Sequence, residues 1–284
     1  MPELPEVETI RRQLAPIVEG RKLVRLEILD PRWSRPLAPE ELSGVLEGRR
    51  IERLGRRGKY LVWSFSGDVH LAQHLRMTGS VLVDPKPEPQ HTRVRVGLRP
   101  TLGLAIADPR RFGTGELLRS GEALAAFMDA KLGLEPFDPQ FTADHLRALA
   151  DGRATPIKAF LLDQRQIAGV GNIYADEALH QAGIHPLRAA GKLSRQQHGL
   201  LREAIIDVLG AGIDAKGASI SDYRDVDGVR GSFQDSFSVH RRAGEPCPDC
   251  GTQIVKLTVA GRGTYVCETC QPRPLADLRS VRRR

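Results

Sequence analysis

The four cysteines of the 284-residue sequence stand near its C-terminus as two pairs, CPDC and CETC, with sixteen residues between them. This spacing is typical of a zinc ribbon, in which each pair directs two thiolates at one ion. Two disulfides or four free thiols are the alternatives, and the cytoplasmic location that we expect for this protein argues against disulfides. We predict one structural Zn²⁺ with no open coordination position, bound by Cys247, Cys250, Cys267 and Cys270. The segment VAGRGTYV between the pairs predicts a hairpin with Arg262 at its tip, where a solvated turn residue is the simpler interpretation.

Two further segments combine residue types that suit nucleic-acid binding. In TPIKAFLLDQRQIAGVGNIYADEAL, a glycine-bearing turn joins two predicted helices, and Asn172 suits the N-cap of the second. The free N–H groups of this turn could hold a phosphate, and Lys158 could reach the same anion. In DPRRFG, Arg110 and Arg111 precede the large ring of Phe112, a set that could fill the gap left by an extruded base. For the first segment, the competing interpretation is an ordinary turn between two helices that binds nothing. For the second, it is a turn with Phe112 packed in the core, and composition alone favours that interpretation.

The N-terminal string MPELPEVETI has an unusual density of proline and glutamate. Proline suits the first turn of a helix, and carboxylates there suit the positive end of the helix dipole. A helix start therefore explains Pro5 and Glu6. It does not explain Pro2, which precedes the helix.

Hydrophobic periodicity indicates the elements that must position these residues. Apolar residues from Val7 to Val18 recur at helical spacing, and Gly20 ends that run. Strand patterns follow in KLVRLEILD, RRIERLG, KYLVWSF, VHLAQHL, GSVLVD, TRVRVGL and GLAIAD, with a hairpin turn at SGD. About eight short strands and one leading helix predict a β-sandwich or barrel-like domain that ends near residue 120. Helical patterns then continue to about residue 213, and a mobile Gly/Ser/Asp-rich loop is expected at KGASISDYRDVDGVRGS.

The composition is that of a soluble globular protein, with 40% hydrophobic and 27% charged residues. No apolar run approaches the length of a membrane span, and no signal peptide is evident, so we expect a cytoplasmic protein without a membrane partner. The net charge of +7 and the paired arginines fit a polyanionic partner. For any single pair of arginines, exposure to solvent without a bound partner is the simpler explanation.

Together these motifs resemble the bacterial formamidopyrimidine-DNA glycosylase family, which is related to endonuclease VIII. The resemblance covers almost the whole chain through PELPEVET, GKYL, HLRMTGS, DPRRFG, GVGNIYADEAL and the terminal ribbon with GRGT. Endonuclease VIII-like proteins typically begin with PEG rather than PEL. The chain departs from the family pattern at Pro156, at HRR (residues 240–242) where Tyr-Gly-Arg is usual, and in its basic tail.

The resemblance implies an α+β multidomain fold with an N-terminal β-sandwich, a helix–two-turn–helix domain and a zinc ribbon. The corresponding ranges are 1–133, 134–232 with a loop that closes over the extruded base, 233–271 for the ribbon and 272–284 for a basic tail. It also implies the catalytic residues. Pro2, exposed by removal of the initiator Met, would be the nucleophile, and Glu3 would assist base departure. Lys59 and Arg262 would be the proton donors for β- and δ-elimination.

The same resemblance implies the DNA contacts. Met77, Arg111 and Phe112 would fill the space left by the flipped nucleotide. The residues expected to contact the DNA backbone are His91, Arg110, Arg153, Lys158 and Asn172. A core methionine and a lysine that reaches solvent from a strand are the alternative interpretations of Met77 and Lys59.

The sequence therefore predicts a monomeric bifunctional DNA glycosylase and abasic-site lyase that removes 8-oxoguanine and formamidopyrimidines from damaged duplex DNA in base excision repair, associated with the bacterial nucleoid through DNA binding. One alternative is the endonuclease VIII specificity for oxidised pyrimidines. The other is a non-catalytic zinc-ribbon protein that only binds damaged DNA.

Overall fold

The computed structural model of the chain describes residues 2–220 and 223–274. The chain forms two compact units: Met1–Lys131 with Gly212–Gln234, and Leu132–Ala211 with Asp235–Arg284. Residues 212–234 thus pack with the first unit, although the sequence analysis assigned them up to residue 232 to the helical domain. The predicted basic tail lies outside the described residues from position 275 onward. The four sequence-based domain ranges remain predictions.

The predicted leading helix is α1, Leu4–Val18. Its apolar residues Val7, Ile10, Leu14 and Val18 are fully buried on one face, which the three- and four-residue spacing dictates. Gly20 follows in the left-handed region with φ of +82°, so the predicted end of the helix is also correct.

Two four-stranded antiparallel sheets form the predicted β-sandwich. In strand order, the first consists of β1 (Lys22–Ile28), β6 (Thr92–Arg99), β7 (Leu102–Ala107) and β5 (Ser80–Val83). The second consists of β2 (Ile51–Arg57), β3 (Tyr60–Phe65), β4 (Val69–His74) and β8 (Thr114–Leu118). The hairpin predicted at SGD joins β3 to β4, where Phe65 pairs with Val69.

Alternation along the strands sends one set of side chains into a core shared with α1. Trp63 of β3 lies in this core at 5% exposure, and its indole N–H donates to Gln73 Oε1 at 2.9 Å. That bond satisfies a buried polar group that would otherwise destabilise the sandwich.

Two elements of this unit were absent from the sequence-based prediction. The short helix α2, Pro39–Leu46, buries only Leu42 and Leu46. Strand β8 has the mixed sequence TGELL, without a run of β-branched residues. Its pairing with β4, from His70 opposite Leu118 to His74 opposite Thr114, defines it as a strand. Both elements depend on tertiary contacts more than on local preference.

The helical patterns predicted up to about residue 213 are confirmed as five helices. The helices are α3 (Gly121–Asp129), α4 (Ala143–Ala150), α5 (Ile157–Leu162), α6 (Asn172–Gln181) and α7 (Arg195–Asp214). Near the C-terminus, β9 (Val255–Val259) and β10 (Arg262–Val266) form a two-stranded ribbon. Among the described residues, no helix is both long and apolar enough to cross a bilayer.

Candidate active site and zinc site

The N-terminal string forms a closely packed helix start. Pro2 is buried, and Glu3 and Glu6 are 2% and 1% exposed. Glu3 is the N-cap of α1, and it forms a capping box with Glu6, whose Oε2 accepts the Glu3 N–H at 2.7 Å. This reciprocal bonding satisfies amides that have no partner within the helix. From Pro2 onward this segment is therefore packed rather than frayed.

Glu6, which the sequence analysis did not select, also binds the loop of residues 216–232. Its Oε1 accepts the N–H of Ala218 at 2.8 Å. The Tyr223 hydroxyl donates to the backbone oxygens of Glu6 and Lys216 at 3.4 and 3.2 Å. The available signal was position, since a Glu three residues after the N-cap completes a capping box.

Several residues of this loop are buried, which its polar composition did not predict. Ser219, Asp225 and Val226 are at most 2% exposed, and Asp225 accepts the side-chain N–H of Gln13 at 2.8 Å. Burial, with a smaller contribution from the nearby Glu6 charge, raises the pKa of Tyr223. The predicted mobility of the loop stays a prediction, and Ser221 and Asp222 lie outside the described part of the chain.

Lys59 occupies a tight turn between β2 and β3. Because Arg57 pairs with Tyr60, Gly58 and Lys59 are the two turn residues, and Gly58 has φ of +57°. Lys59 is 5% exposed, so it does not extend into solvent from a strand.

His74, another residue that sequence reasoning missed, influences the same region. Burial, with smaller contributions from the positive charges of Arg76 and Lys59, lowers the pKa of His74 to about 3. Its imidazole is therefore neutral at neutral pH, and its Nδ1 accepts the Arg76 N–H at 2.9 Å. The motif HLRMTGS contained this histidine, but only its packing reveals the perturbed pKa.

The DPRRFG turn presents its aromatic ring to solvent. The buried Asp108 organises the turn by accepting the N–H groups of Phe112 and Gly113 at 2.8 and 2.7 Å. Phe112 is 50% exposed, and the Arg110 guanidinium lies 4.9 Å from the centre of its ring. The interpretation of Phe112 as a core residue is therefore wrong. Arg111 has φ of +61°, and its Nε contacts Asp30 Oδ2 at 2.6 Å.

Two other loops adjoin this turn. Met77 is half-buried in the turn between β4 and β5, and the hydroxyl of the following Thr78 donates to Asp108. His91 is exposed with φ of +64°, and its carbonyl accepts the Asp108 N–H at 3.0 Å. Asp108 thus brings together three segments that are distant in sequence.

The glycine-bearing turn of the second unit differs from the prediction at its cap. Gly171 is the N-cap of α6 and Asn172 is its first helical residue, so the assignment of Asn172 as the cap is wrong. Asn172 Nδ2 instead donates to the Gly263 carbonyl in the ribbon at 3.1 Å. Arg153 is exposed, and its guanidinium lies 5.7 Å from the Phe160 ring.

Lys158 is fully buried rather than directed at solvent. Its Nζ donates to the Gly263 carbonyl at 3.0 Å and to Thr264 Oγ1 at 2.7 Å, and lies 2.7 Å from Asp176 Oδ1. The contact with Asp176 is a buried ion pair. Asp176 Oδ2 in turn contacts His240 Nδ1 at 2.8 Å. The ammonium therefore joins α5 and α6 to the ribbon.

Arg262 stands at the tip of the ribbon hairpin, as predicted. It pairs with Val259, which leaves Ala260 and Gly261 as a turn with φ of +48° and +73°. Arg262 is exposed, while Thr264 two residues later is fully buried.

The four cysteines converge as the spacing predicted. Their Sγ atoms lie within 4.8 Å of one another, with 3.9 Å between Cys247 and Cys270 and 3.4 Å between Cys250 and Cys267. These separations exceed the roughly 2.05 Å of a disulfide bond. They approach the sulfur–sulfur spacing of tetrahedral zinc with bonds of about 2.3 Å. The donor set therefore fits one structural zinc.

Comparison with known proteins decides the family. The N-terminal domain of formamidopyrimidine-DNA glycosylase matches residues 1–115, the H2TH domain of that enzyme matches 132–224, and a zinc finger found in FPG and IleRS matches 244–273. The chain belongs to the formamidopyrimidine-DNA glycosylase family. It is thus a DNA glycosylase of base excision repair with a structural zinc finger, and the predicted resemblance, fold class and cofactor are confirmed.

Individual relatives match over nearly their full length. Formamidopyrimidine-DNA glycosylase of Chloroflexus aurantiacus is 46% identical over 275 residues, which are 95% of this chain and 98% of the relative. The MutM (FPG) crystal structure from Thermus thermophilus has a TM-score of 0.87 at 41% identity, covering 96% of this chain and all of the other. A Lactococcus lactis FPG variant in complex with Fapy-dG-containing DNA has a TM-score of 0.89 at 37% identity, with the same coverage.

Proposed function

We propose that this enzyme excises oxidised purines, namely 8-oxoguanine and formamidopyrimidines, from damaged duplex DNA and then cleaves the strand by β,δ-elimination through a Schiff base on Pro2. The observation that carries the proposal is the buried Pro2 beside Glu3 at a capped helix start. Support for the substrate class comes from the Lactococcus lactis relative, which was solved with Fapy-dG-containing DNA. The proposal includes a monomeric enzyme in the bacterial cytoplasm, associated with the nucleoid.

Pro2 supplies the nucleophile once the initiator Met is removed. An α-amino group titrates at about 7.7–8.0, so a useful fraction is neutral at physiological pH. The amine attacks sugar C1′ while the C1′–base bond breaks, and the base takes the bonding electrons and a proton. Glu3 assists that proton transfer. The amine then loses its own proton, and its lone pair expels O4′ from C1′, so the sugar ring opens and O4′ takes up a proton. The resulting iminium acidifies the neighbouring C2′–H.

Elimination then proceeds on the opened sugar. Loss of the C2′ proton expels the 3′ phosphate, and a second elimination expels the 5′ phosphate. Lys59 is proposed to supply a proton in the first step, and Arg262 in the second. The neutral state of His74 supports this role for Lys59, because a second fixed charge nearby would disfavour the ammonium.

Met77, Arg111 and Phe112 are proposed to occupy the space left by the extruded nucleotide. The exposed Phe112 ring supports this role, because a wedge must reach the base stack. Arg111 would exchange its contact with Asp30 for the orphaned base.

The backbone contacts are proposed to come from His91, Arg110, Arg153 and Asn172. Exposure of the first three supports their assignment. For Lys158 we replace the expected phosphate contact with a positioning role, because its ammonium is fully buried and bonded to the ribbon.

The test compares two substrates, a duplex with 8-oxoguanine and a duplex with a pre-formed abasic site. Glu3→Gln should lose about 10²–10⁴-fold in base excision yet keep appreciable cleavage of the abasic duplex, since elimination needs no base departure. Glu40→Gln is the matched control, because Glu40 is an exposed glutamate in the first turn of another helix. That control should cleave both substrates at the wild-type rate.

Blocking Pro2 by retention of Met1 should abolish borohydride trapping on both substrates, because an acylated nitrogen has no nucleophilic lone pair. Circular dichroism checks the fold. Full trapping by the blocked form would identify a lysine as the nucleophile and contradict the mechanism. Faster excision of an oxidised pyrimidine than of 8-oxoguanine would instead assign the endonuclease VIII specificity.

A further inference from the structure

The C-terminal part of α6 meets the zinc site through His180. This histidine is 5% exposed, and its Nε2 lies 3.4 Å from Cys247 Sγ. The same nitrogen lies 3.6 Å from Asp249 Oδ2. Neither the cysteine spacing nor the proposed DNA chemistry accounts for a buried imidazole at this position.

A second contact fixes the same end of α6 against the other cysteine pair. Gln271 is fully buried, its Oε1 accepts the Cys267 N–H at 3.1 Å, and its Nε2 donates to the Ile184 carbonyl at 2.9 Å. The segment that follows α6 therefore holds one pair while His180 contacts the other. This double attachment restricts the position of the imidazole relative to the sulfur.

Four thiolates on one Zn²⁺ leave a net charge of about −2 in a partly buried place, so donors that point at the sulfurs stabilise the complex. Outer donors of this kind orient ligands and commonly change metal affinity by about 10–100-fold when they are removed. The distance of 3.4 Å between His180 Nε2 and Cys247 Sγ is within the range of an N–H···S hydrogen bond.

We propose that His180 donates its Nε2–H to the zinc-bound Cys247 thiolate and thereby slows release of zinc from the ribbon. His180 acts as a positioning residue rather than a ligand, because the four cysteines complete a tetrahedron. A second group of possible ligand atoms also lies within 4.8 Å of one another, and it consists of His180, Cys247, Asp249 and Cys270. The test must therefore distinguish a hydrogen bond from direct ligation of zinc by His180.

The main experiment measures zinc release from the holoprotein into a chromogenic chelator. His180→Phe keeps an aromatic ring but removes the donor, and release should accelerate about tenfold. His180→Gln keeps a side-chain N–H and should release zinc at a rate closer to that of the wild type. His198→Phe is the matched control at another buried helical histidine, 1% exposed, and should leave the release rate unchanged.

Cobalt substitution distinguishes hydrogen bonding from ligation. The d–d bands of the Co²⁺ protein report the ligand set, so His180→Phe should leave them unchanged under the proposal. Changed bands would make His180 a ligand and overturn it. Release by His180→Phe within twofold of the wild type would also overturn it, as would equally fast release by both His180 variants. If His180→Phe does not fold, the rate of zinc release from His180→Gln decides. A release rate equal to that of the His198→Phe control supports the proposal. Tenfold faster release refutes it.

Discussion

Replacement of Lys158 by Met is the sharpest test of the internal architecture of the second unit. The ammonium lies 2.7 Å from a carboxylate oxygen of Asp176, and both side chains are 0% exposed. It also donates to Thr264 and to the carbonyl of Gly263. Met fills a similar volume but offers none of these interactions, so the change isolates the charge and its hydrogen bonds.

The expected loss of stability depends on the polar groups that stay buried after the lysine is replaced. Asp176 keeps His240 as a contact but loses its cationic neighbour, and Thr264 loses a donor. Breaking a buried pair by removing one partner costs about 3–5 kcal/mol. Domains are stable by only about 5–15 kcal/mol. For a domain of this size, each kcal/mol lowers Tm by about 2–4 °C, so Lys158→Met should lower Tm by about 6–20 °C.

Thermal denaturation gives the first measurement, and the double variant Lys158→Met/Asp176→Leu gives its control. Removing both charges should recover part of the lost stability, because no unpaired carboxylate then stays buried. If Lys158→Met lowers the free energy of unfolding by less than about 1 kcal/mol, the ammonium does not form the buried ion pair described here.

The salt dependence of DNA binding gives the second measurement. Each phosphate contact contributes about −0.9 to the slope of log K against log salt. Arg153→Gln removes an exposed cation proposed to contact phosphate and should weaken the slope by about that amount. Lys158→Met should leave the slope unchanged. A slope change of about 0.9 with little loss of stability would restore Lys158 as a phosphate ligand and refute the reasoning.

Three further predictions concern stability and the metal. Burial alone would raise the pKa of Glu8, but hydrogen bonds from three arginines lower it to about 2. This carboxylate therefore contributes stability above its unfolded pKa of about 4.5, and the contribution disappears as the pH falls toward 2. Acid titration of Tm should be flatter in Glu8→Gln, and an unchanged profile would contradict the assignment. Gly115→Ala would place a Cβ 2.3 Å from the buried Trp33 ring and should cost about 1–3 kcal/mol in chemical denaturation, whereas Gly55→Ala, whose nearest neighbour is 3.8 Å away, should cost less. Cys250→Ser removes one thiolate, and elemental analysis should find well under one zinc per chain, so stoichiometric zinc in that variant would exclude the four-cysteine site.

Periodicity and spacing sufficed for much of the fold and for the metal site. The strands and the apolar face of α1 depend on local geometry. Residues two positions apart share a face of a strand, and residues four positions apart share a face of a helix. The cysteine pairs depend on spacing, because each pair directs two sulfurs at one ion. The spacing of Glu3 and Glu6 also predicts the capping box, because the two carboxylates lie three residues apart at a helix start.

Local sequence did not determine α2, β8 or the cap of α6. The first two are too short to be stable alone, and pairing or burial against distant residues defines them. At the third, Asn172 is an excellent capping residue by type, yet its amide is used by the ribbon at Gly263 and Gly171 takes the cap. A contact across 91 residues thus outweighs a local preference.

The surroundings of the reactive side chains were decided only by the tertiary structure. A lysine is nearly always exposed, so nothing in the sequence distinguished the buried Lys158 from a surface cation. A phenylalanine is commonly buried, yet Phe112 is half exposed because Asp108 holds the turn beneath it. The burial and the pKa of a side chain depend on which distant segments pack around it, so residue type alone does not determine them.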